Sequence, residues 1–389
     1  MSPTVYLDHH STTPVDARVL EAMLPYFTHE YGNPSNRTHA FGRNASAAVE
    51  QARERVADAL QARYSEIHFT SGATEANAIA LQGVARARPG AHLVTSAIEH
   101  RSVLDACRRL EREGWRLTVL PVDRNGFVDP DDVRRSLRPD TVLVSVMAAN
   151  NEIGTIEPID AIGQALRDSP ALFHVDATQA LGRVPIDVDA MSIDLLSLSA
   201  HKIHGPKGVG ALYVRRPTAG TLRPLVDGGG QERGLRPGTL NVPGIVGLGV
   251  ACELALRSLY DDDERIGRLR DRLQRQLLES IDGITVNGPI DRRLSANLNV
   301  TIDGVDADAL LLGLPELALS AGAACSSTQA RPSHVLDAIG ATRRGPAAVL
   351  RFGLGRGNTI EEIDRAAACV AERVHRLRAA STARHGRGT

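Results

Sequence analysis

The chain has 389 residues, 45 Lys plus Arg against 46 Asp plus Glu, and a formal net charge of -1. That balance supplies no global positive field for direct nucleic-acid binding or an anionic membrane. The length exceeds one small core and points to two domains, and the 42% hydrophobic and 23% charged fractions are ordinary for a globular protein.

Residues 1–14 are short and irregular and end in the turn Thr12-Thr13-Pro14. They contain no cationic segment followed by an apolar run, and no later stretch is apolar for long enough to cross a bilayer. The expectation is a cytoplasmic protein with no membrane partner. ARVLEAMLPYFTHEY spaces Val19, Leu20, Met23 and Leu24 as one amphipathic helix, which runs into the turn cluster Gly32-Asn33-Pro34-Ser35. A polar helix is expected over about 43–62.

Strand-like runs then follow at IHFT (67–70), HLVTSA (92–97), LTVLPV (117–122), TVLVSVMA (141–148), LFHVD (172–176), DLLSLS (194–199) and VGALYV (209–214). Most are separated by helical patterns such as ATEANAIALQGVARA and RSVLDACRRLERE. Strands apolar nearly throughout, alternating with helices, predict a mainly parallel sheet covered on both faces. A helical run over about 244–281 leads into SANLNVTIDG, DALLLGL, a Gly/Ala/Ser loop around Cys325, VLRFGLG and a last helix over about 359–379. The organisation expected is a large domain over 15–258 and a smaller α+β domain from 1–14 with 259–380. Residues 381–389 read as a flexible tail.

In such sheets ligands bind beyond the carboxyl ends of the strands. Polar residues gather there: Ser71 to Thr74, Glu99-His100, Asn150-Asn151, Asp176 with Gln179, and Ser199, His201 and Lys202. Within that set the lysine stands out. Lys occurs only at Lys202 and Lys207, and the other 43 basic residues are Arg. A guanidinium stays protonated and delocalised, whereas a lysine amine condenses with a carbonyl, so retention of an amine here points to Schiff-base chemistry. The plain alternative is survival of two lysines in an Arg-biased composition.

Gly72-Ala73-Thr74 joins a strand to a helix, where backbone N–H groups and a hydroxyl suit a phosphate, or else simply start a helix. Asp176 closes a buried strand, where a carboxylate needs a cation such as a protonated pyridine nitrogen, or serves as an N-cap. His100 adds a flat aromatic base. Aldehyde trap, pyridinium partner and phosphate turn are the parts of a pyridoxal 5'-phosphate site.

HVDATQ, SLSAHKIHGPKG, FTSGATEAN, ANNEIGT, GGGQERGLRPGT and LRFGLGR, together and in this order, resemble the NifS/IscS class of cysteine desulfurases. That class belongs to the fold type I pyridoxal phosphate enzymes, and the likeness runs from about Leu7 to about Asp364. It implies a seven-stranded, mainly parallel sheet. It also implies that Lys202 binds the cofactor aldehyde, that Asp176 pairs the pyridine nitrogen and that Gln179 meets the ring hydroxyl. By the same resemblance Ala73, Thr74, Ser199 and His201 hold the phosphate, and Asn151 lies near the ring hydroxyl and substrate. His100 stacks on the ring, and Asn33 and Arg351 bind the substrate carboxylate. A Thr matching Thr239 completes the phosphate site of a partner subunit, so a homodimer is expected. His9 and His10 stand where many relatives have other residues, so the likeness assigns no contacts to that stretch.

The four cysteines, Cys107, Cys252, Cys325 and Cys369, show no CxxC pairing, which argues against a metal site or a disulfide framework. Three lie in helical patterns, whereas Cys325 lies among small residues that suit a mobile tether. The resemblance implies that the Cys325 thiolate takes sulfur from L-cysteine, leaving a persulfide and alanine. The sulfur then passes to an acceptor protein for iron-sulfur assembly, tRNA thiolation or DndA-type DNA phosphorothioation. A selenocysteine lyase or another class V aminotransferase-type enzyme is the competing expectation. A non-enzymatic sulfur relay, or nucleic-acid binding through RIGRLRDRLQRQ, is the competitor from a different class. That run reads better as a solvated amphipathic face with Ile266, Leu269 and Leu273 inward.

Overall fold

A computed structural model describes residues 4–321, 333–341 and 347–385. The strands are β1 (Val5–Tyr6), β2 (Ile67–Thr70), β3 (His92–Ser96), β4 (Arg116–Leu120), β5 (Thr141–Ser145), β6 (Leu172–Asp176), β7 (Leu195–Ser199) and β8 (Gly210–Val214). They continue with β9 (Ile284–Val286), β10 (Asn297–Asp303), β11 (Leu317–Ala318) and β12 (Ala347–Gly353).

The main sheet has seven strands in the order β2-β8-β7-β6-β5-β3-β4, and only β8 runs against its neighbours. All seven expected strands are therefore present, in a mostly parallel α/β sheet. Five observed strands are shorter than the apolar runs suggested, β3, β4, β5, β7 and β8, the largest difference being β5, which stops at Ser145. Val146, Met147 and Ala148 remain buried beyond the ladder, because core burial and strand pairing end at different residues.

Apolar residues cover both faces. One cluster packs Val49, Ala52 and Val56 of helix Ala40–Asp58 and Leu248 and Cys252 of helix Val242–Arg257 with Val175 and Leu196 of the sheet. The other packs Ile79, Leu81, Val103 and Leu110 against Leu93, Leu143 and Leu195. A separate core holds Val5 and Leu7 together with Leu273, Leu298, Leu350, Phe352 and Val370, around the antiparallel sheet β12-β10-β9. Strand β1 reaches this region by pairing in parallel with β11.

Four helix expectations need correction. The first amphipathic helix breaks into Ala17–Met23 and the short Pro25–Thr28, since Pro25 has no N–H to continue the ladder. Only Val19 and Met23 of its four spaced positions are buried, while Leu20 and Leu24 are exposed. The polar helix covers Ala40–Asp58 rather than 43–62. The run expected over 244–281 divides at Ser258 into Val242–Arg257 and Leu259–Ser280, bent by 72°. The last helix runs over Ile360–His385, into the segment expected to be an irregular tail. Among the described residues no single helix is long and apolar enough to cross a membrane, and no group of His, Cys, Asp and Glu could hold a metal ion.

Candidate active site

Strands β5, β6 and β7 lie side by side, so the chain leaves their carboxyl ends along one edge of the sheet. A cavity of about 590 Å³ opens there. Lys202, Asp176, Gln179, Ser199 and His201 line it, as do Ala73, Thr74, His100, Asn151 and Arg351. Residues up to 341 positions apart in sequence, His10 and Arg351, thus meet around one space. Two predicted residues do not line it: Asn33 and Thr239 are exposed outside this wall. Asn33 instead closes a local turn, its side-chain oxygen accepting from Ser35 N at 2.9 Å. Cys325 lies outside the described residues.

Asp176, the last residue of β6, is buried, and each of its oxygens has a donor. Thr178 N donates to Oδ1 at 2.9 Å and Asn77 Nδ2 donates to Oδ2 at 2.8 Å. Both N-cap geometry and cation pairing were open from the sequence; here the following turn is held by Asp176, and a carboxylate edge still faces the cavity wall.

The phosphate-turn expectation rests on Gly72. Its φ of +149° lies in a region that β-carbon-bearing residues avoid, and it starts helix Ala73–Ala87 with no side-chain cap. The first backbone N–H groups of that helix are therefore left for a ligand beside the Thr74, Ser199 and His201 side chains. Glu75 takes the N–H of Ser71 at 2.5 Å and is itself met by Arg236 Nε at 3.0 Å.

Lys202 Nζ donates to the carbonyls of His10 at 2.5 Å and Ser11 at 2.8 Å. The stretch to which the family likeness assigned no contacts is thus a wall of the site: His10, Ser11 and Thr12 all line the cavity. Thr12 Oγ1 lies 3.2 Å from His201 Nδ1, and Thr13 N donates to the His201 carbonyl at 3.0 Å. Burial, then the charges of Lys202 and Lys207, lowers His201 to about 4. His10 is held well below the usual histidine range by burial, then by Arg183 and Arg351.

His100 caps helix Arg101–Arg112: its Nδ1 accepts from Ser102 N at 3.1 Å and lies 2.8 Å from Ser102 Oγ. A backbone N–H aimed at Nδ1 places the neutral ring's proton on Nε2. Arg351 is buried on β12, where Nη2 donates to Asp8 Oδ1 at 2.9 Å and to Ser11 Oγ at 2.9 Å. Nη1 donates to the Asn151 carbonyl at 3.1 Å, and the buried Nε has no hydrogen-bond partner among the described residues.

Sequence reasoning missed Asn77, Ser102, His10, Ser11 and Arg183. The only signal for the N-terminal pair was a polar turn so close to the chain start, which also fits an ordinary surface loop. Asn77 lies mid-helix with no flag of its own.

The aminotransferase class-V family matches residues 5–366. A curated cysteine desulfurase IscS from Anaeromyxobacter dehalogenans (strain 2CP-C) is 50% identical over 380 residues, covering 97% of this chain and 94% of the relative. A mitochondrial cysteine desulfurase of Arabidopsis thaliana is 48% identical over 376 residues, covering 96% and 83%. Among solved structures a NifS-like protein superposes with a TM-score of 0.89 at 38% identity, covering 96% of this chain and all of the other. The cavity at the sheet's carboxyl edge and these matches agree, and the chain belongs to the aminotransferase class-V family.

Proposed function

We infer that this chain is a pyridoxal 5'-phosphate-dependent cysteine desulfurase, which removes sulfur from L-cysteine and leaves alanine. The observation that carries the inference is the meeting of the Lys202 amine and the Asp176 carboxylate in one cavity, with an uncapped helix start in the same wall. The donor set fits the cofactor: an amine for the aldehyde, a buried carboxylate for the pyridine nitrogen, and hydroxyls with helix N–H groups for the phosphate. When bound, the cofactor supplies an electron sink for the substrate carbon skeleton.

The chain's own residues do the rest. Lys202 moves a proton at Nζ. Arg351, the cation that β12 brings to the cavity wall, orients the substrate carboxylate. His100 holds a proton at Nε2 on the cavity side of its Ser102 anchor. The Cys325 thiolate forms an S–S bond to the substrate sulfur as the Cβ–Sγ bond breaks. The electron pair of that bond stays with the substrate carbon skeleton, which takes up a proton.

The described cysteines support Cys325 as the acceptor by elimination. Cys107 and Cys252 are buried in helices, and burial pushes both thiols up to about 12. Cys369 is half-buried and also raised, first by burial. Burial disfavours the thiolate at all three. The family resemblance assigns Thr239 to the phosphate site of a second copy in a homodimer, and its exposure outside its own chain's cavity is compatible with that role. The persulfide passes to an acceptor protein.

The test is mass spectrometry of the reconstituted protein after L-cysteine is added. The expected result is one sulfur atom gained at Cys325, with alanine formed, and both lost in Cys325→Ala. Undiminished alanine formation in that variant would favour the selenocysteine lyase or aminotransferase-type alternative instead.

A further inference from the structure

Behind Lys202 lies a cation that the chemistry above does not use. Arg183 follows the Asp176–Gln179 turn, and its Nη1 donates to Gln179 Oε1 at 2.6 Å while Nη2 donates to the Lys202 carbonyl at 3.4 Å. Among the described residues no carboxylate lies within ion-pair distance of it. The small cavity of about 40 Å³ on its other side is bounded by His9, His204, Asp262, Asp263 and Arg356, and Asp262 is engaged with Arg356 at 2.5 Å.

This cation settles the orientation of an amide. Gln179 Nε2 donates to the His10 carbonyl at 2.9 Å, and Oε1 faces Arg183 Nη1 and His10 Nδ1, the latter at 3.0 Å. A flipped amide would set its NH₂ against the guanidinium, so Oε1 must face Arg183. His10 Nδ1 then carries the ring proton toward Oε1 at 3.0 Å, the nearer of its two neighbours, Arg183 Nη1 lying 3.4 Å away. With Oε1 committed, the only group that Gln179 offers the cavity is the second N–H of Nε2, a donor.

We propose that Arg183 is a positioning residue that acts through Gln179 and His10. It makes Gln179 a donor toward an anionic ring oxygen, and its charge lowers the pH at which the Lys202–cofactor linkage loses its proton. The proposal rests on the cofactor reading above and goes beyond it. Other charged and titratable groups also face Lys202: His9 and His10 from the N-terminal wall, Asp176 from β6, His201, His204 and Lys207 beside it, Asp262 and Asp263 from helix Leu259–Ser280, Arg351 and Arg356 on and after β12, and His100 across the cavity. All of them are shared by the wild type and a position-183 variant, so the difference between the two isolates Arg183.

The test is a pH titration of the visible absorbance of the loaded holoenzyme, wild type against Arg183→Gln and Arg183→Lys. Removing a cation favours the protonated linkage, so R183Q is expected to raise the midpoint by about one pH unit. R183K, which keeps the charge, is expected to stay close to wild type. A midpoint unmoved in R183Q overturns the proposal while leaving the cofactor reading intact, whereas a wild-type chain that never develops the absorbance overturns both. Should R183Q fail to fold, ¹⁵N–¹H correlation of His10 in the wild type decides: the Nδ1–H tautomer supports the proposal, and the Nε2–H tautomer overturns it.

Discussion

Asn77 Nδ2 donates to Asp176 Oδ2 across 2.8 Å and to Ser102 Oγ across 2.9 Å, and Ser102 Oγ lies 2.8 Å from His100 Nδ1. One buried amide therefore ties the carboxylate on β6 to the histidine that caps helix Arg101–Arg112. Asn77→Ala leaves Asp176 one charge-assisted hydrogen bond short, worth about 2 kcal/mol. Cofactor retention measured by equilibrium dialysis is expected to weaken by about tenfold or more. Retention equal to wild type would remove Asn77 from the site.

Buried Arg351 pairs with partly exposed Asp8 at 2.9 Å, and Ser320 Oγ donates to the same Asp8 oxygen at 2.8 Å. Asp8→Ala strands the guanidinium and is expected to cost about 3 kcal/mol in urea unfolding. Arg351→Lys keeps the charge but loses the planar fork, so KM for L-cysteine should rise by about tenfold with kcat changed much less. A fall in kcat at constant KM would contradict a carboxylate-binding role.

His9, His201 and His204 surround Lys202, and burial lowers each to about 4. In the unfolded chain each binds its proton near 6.5, so between 6.5 and 4 the unfolded state holds more protons. Their contribution to stability is present above pH 6.5 and is lost as pH falls through 4. Thermal melts are expected to decline over that window, with a shallower decline in His204→Gln. An identical acid slope in that variant refutes the assignment for His204.

Glu157 behaves in the opposite sense. Burial raises it to about 8, against the backbone donor Val128 N at 3.0 Å, and its Oε1 has no hydrogen-bond partner among the described residues. The native state holds the extra proton, so stability falls as pH rises from 4.5 through 8. Glu157→Gln keeps an acceptor for Val128 and removes the ionisation. It is expected to be more stable than wild type at pH 9 by on the order of 3 kcal/mol, and near wild type at pH 5. Urea titrations at the two pH values check this, and parity at pH 9 would contradict it.

Gly210 opens β8 directly against the phosphate turn. A β-carbon there would lie 2.7 Å from Gly72 Cα, a backbone atom that can yield only by moving the turn. Gly210→Ala is expected to cost about 2 kcal/mol of stability and to weaken binding of the cofactor's phosphate end. The readout is the ratio of pyridoxal phosphate to pyridoxal affinity, which should fall. A preserved ratio would show that the turn is not displaced.

The residues themselves determined much of this protein. Period and apolarity placed seven strands and the helices Ala73–Ala87 and Arg101–Arg112, and found four further helical runs with wrong bounds, because burial of continuous apolar runs is a local property of the chain. A near absence of lysine singled out the segment holding Lys202 and Lys207, since only an amine does that chemistry, and the family resemblance chose Lys202. Pro25 could have warned of the first helix break, and the bend at Ser258 had no such marker.

What only the tertiary structure decided are contacts between distant segments. The packing of β1 on β11 and the bridge from Asp8 to Gly353 bring His10 and Ser11 beside Lys202, 192 and 191 residues away. Arg183 reads from sequence as one arginine among 43, and its placement behind Gln179 follows from how the turn folds back on the N-terminal wall. Hydrogen-bond direction and tautomer depend on which groups face each other in space, and spacing along the chain carries no record of that.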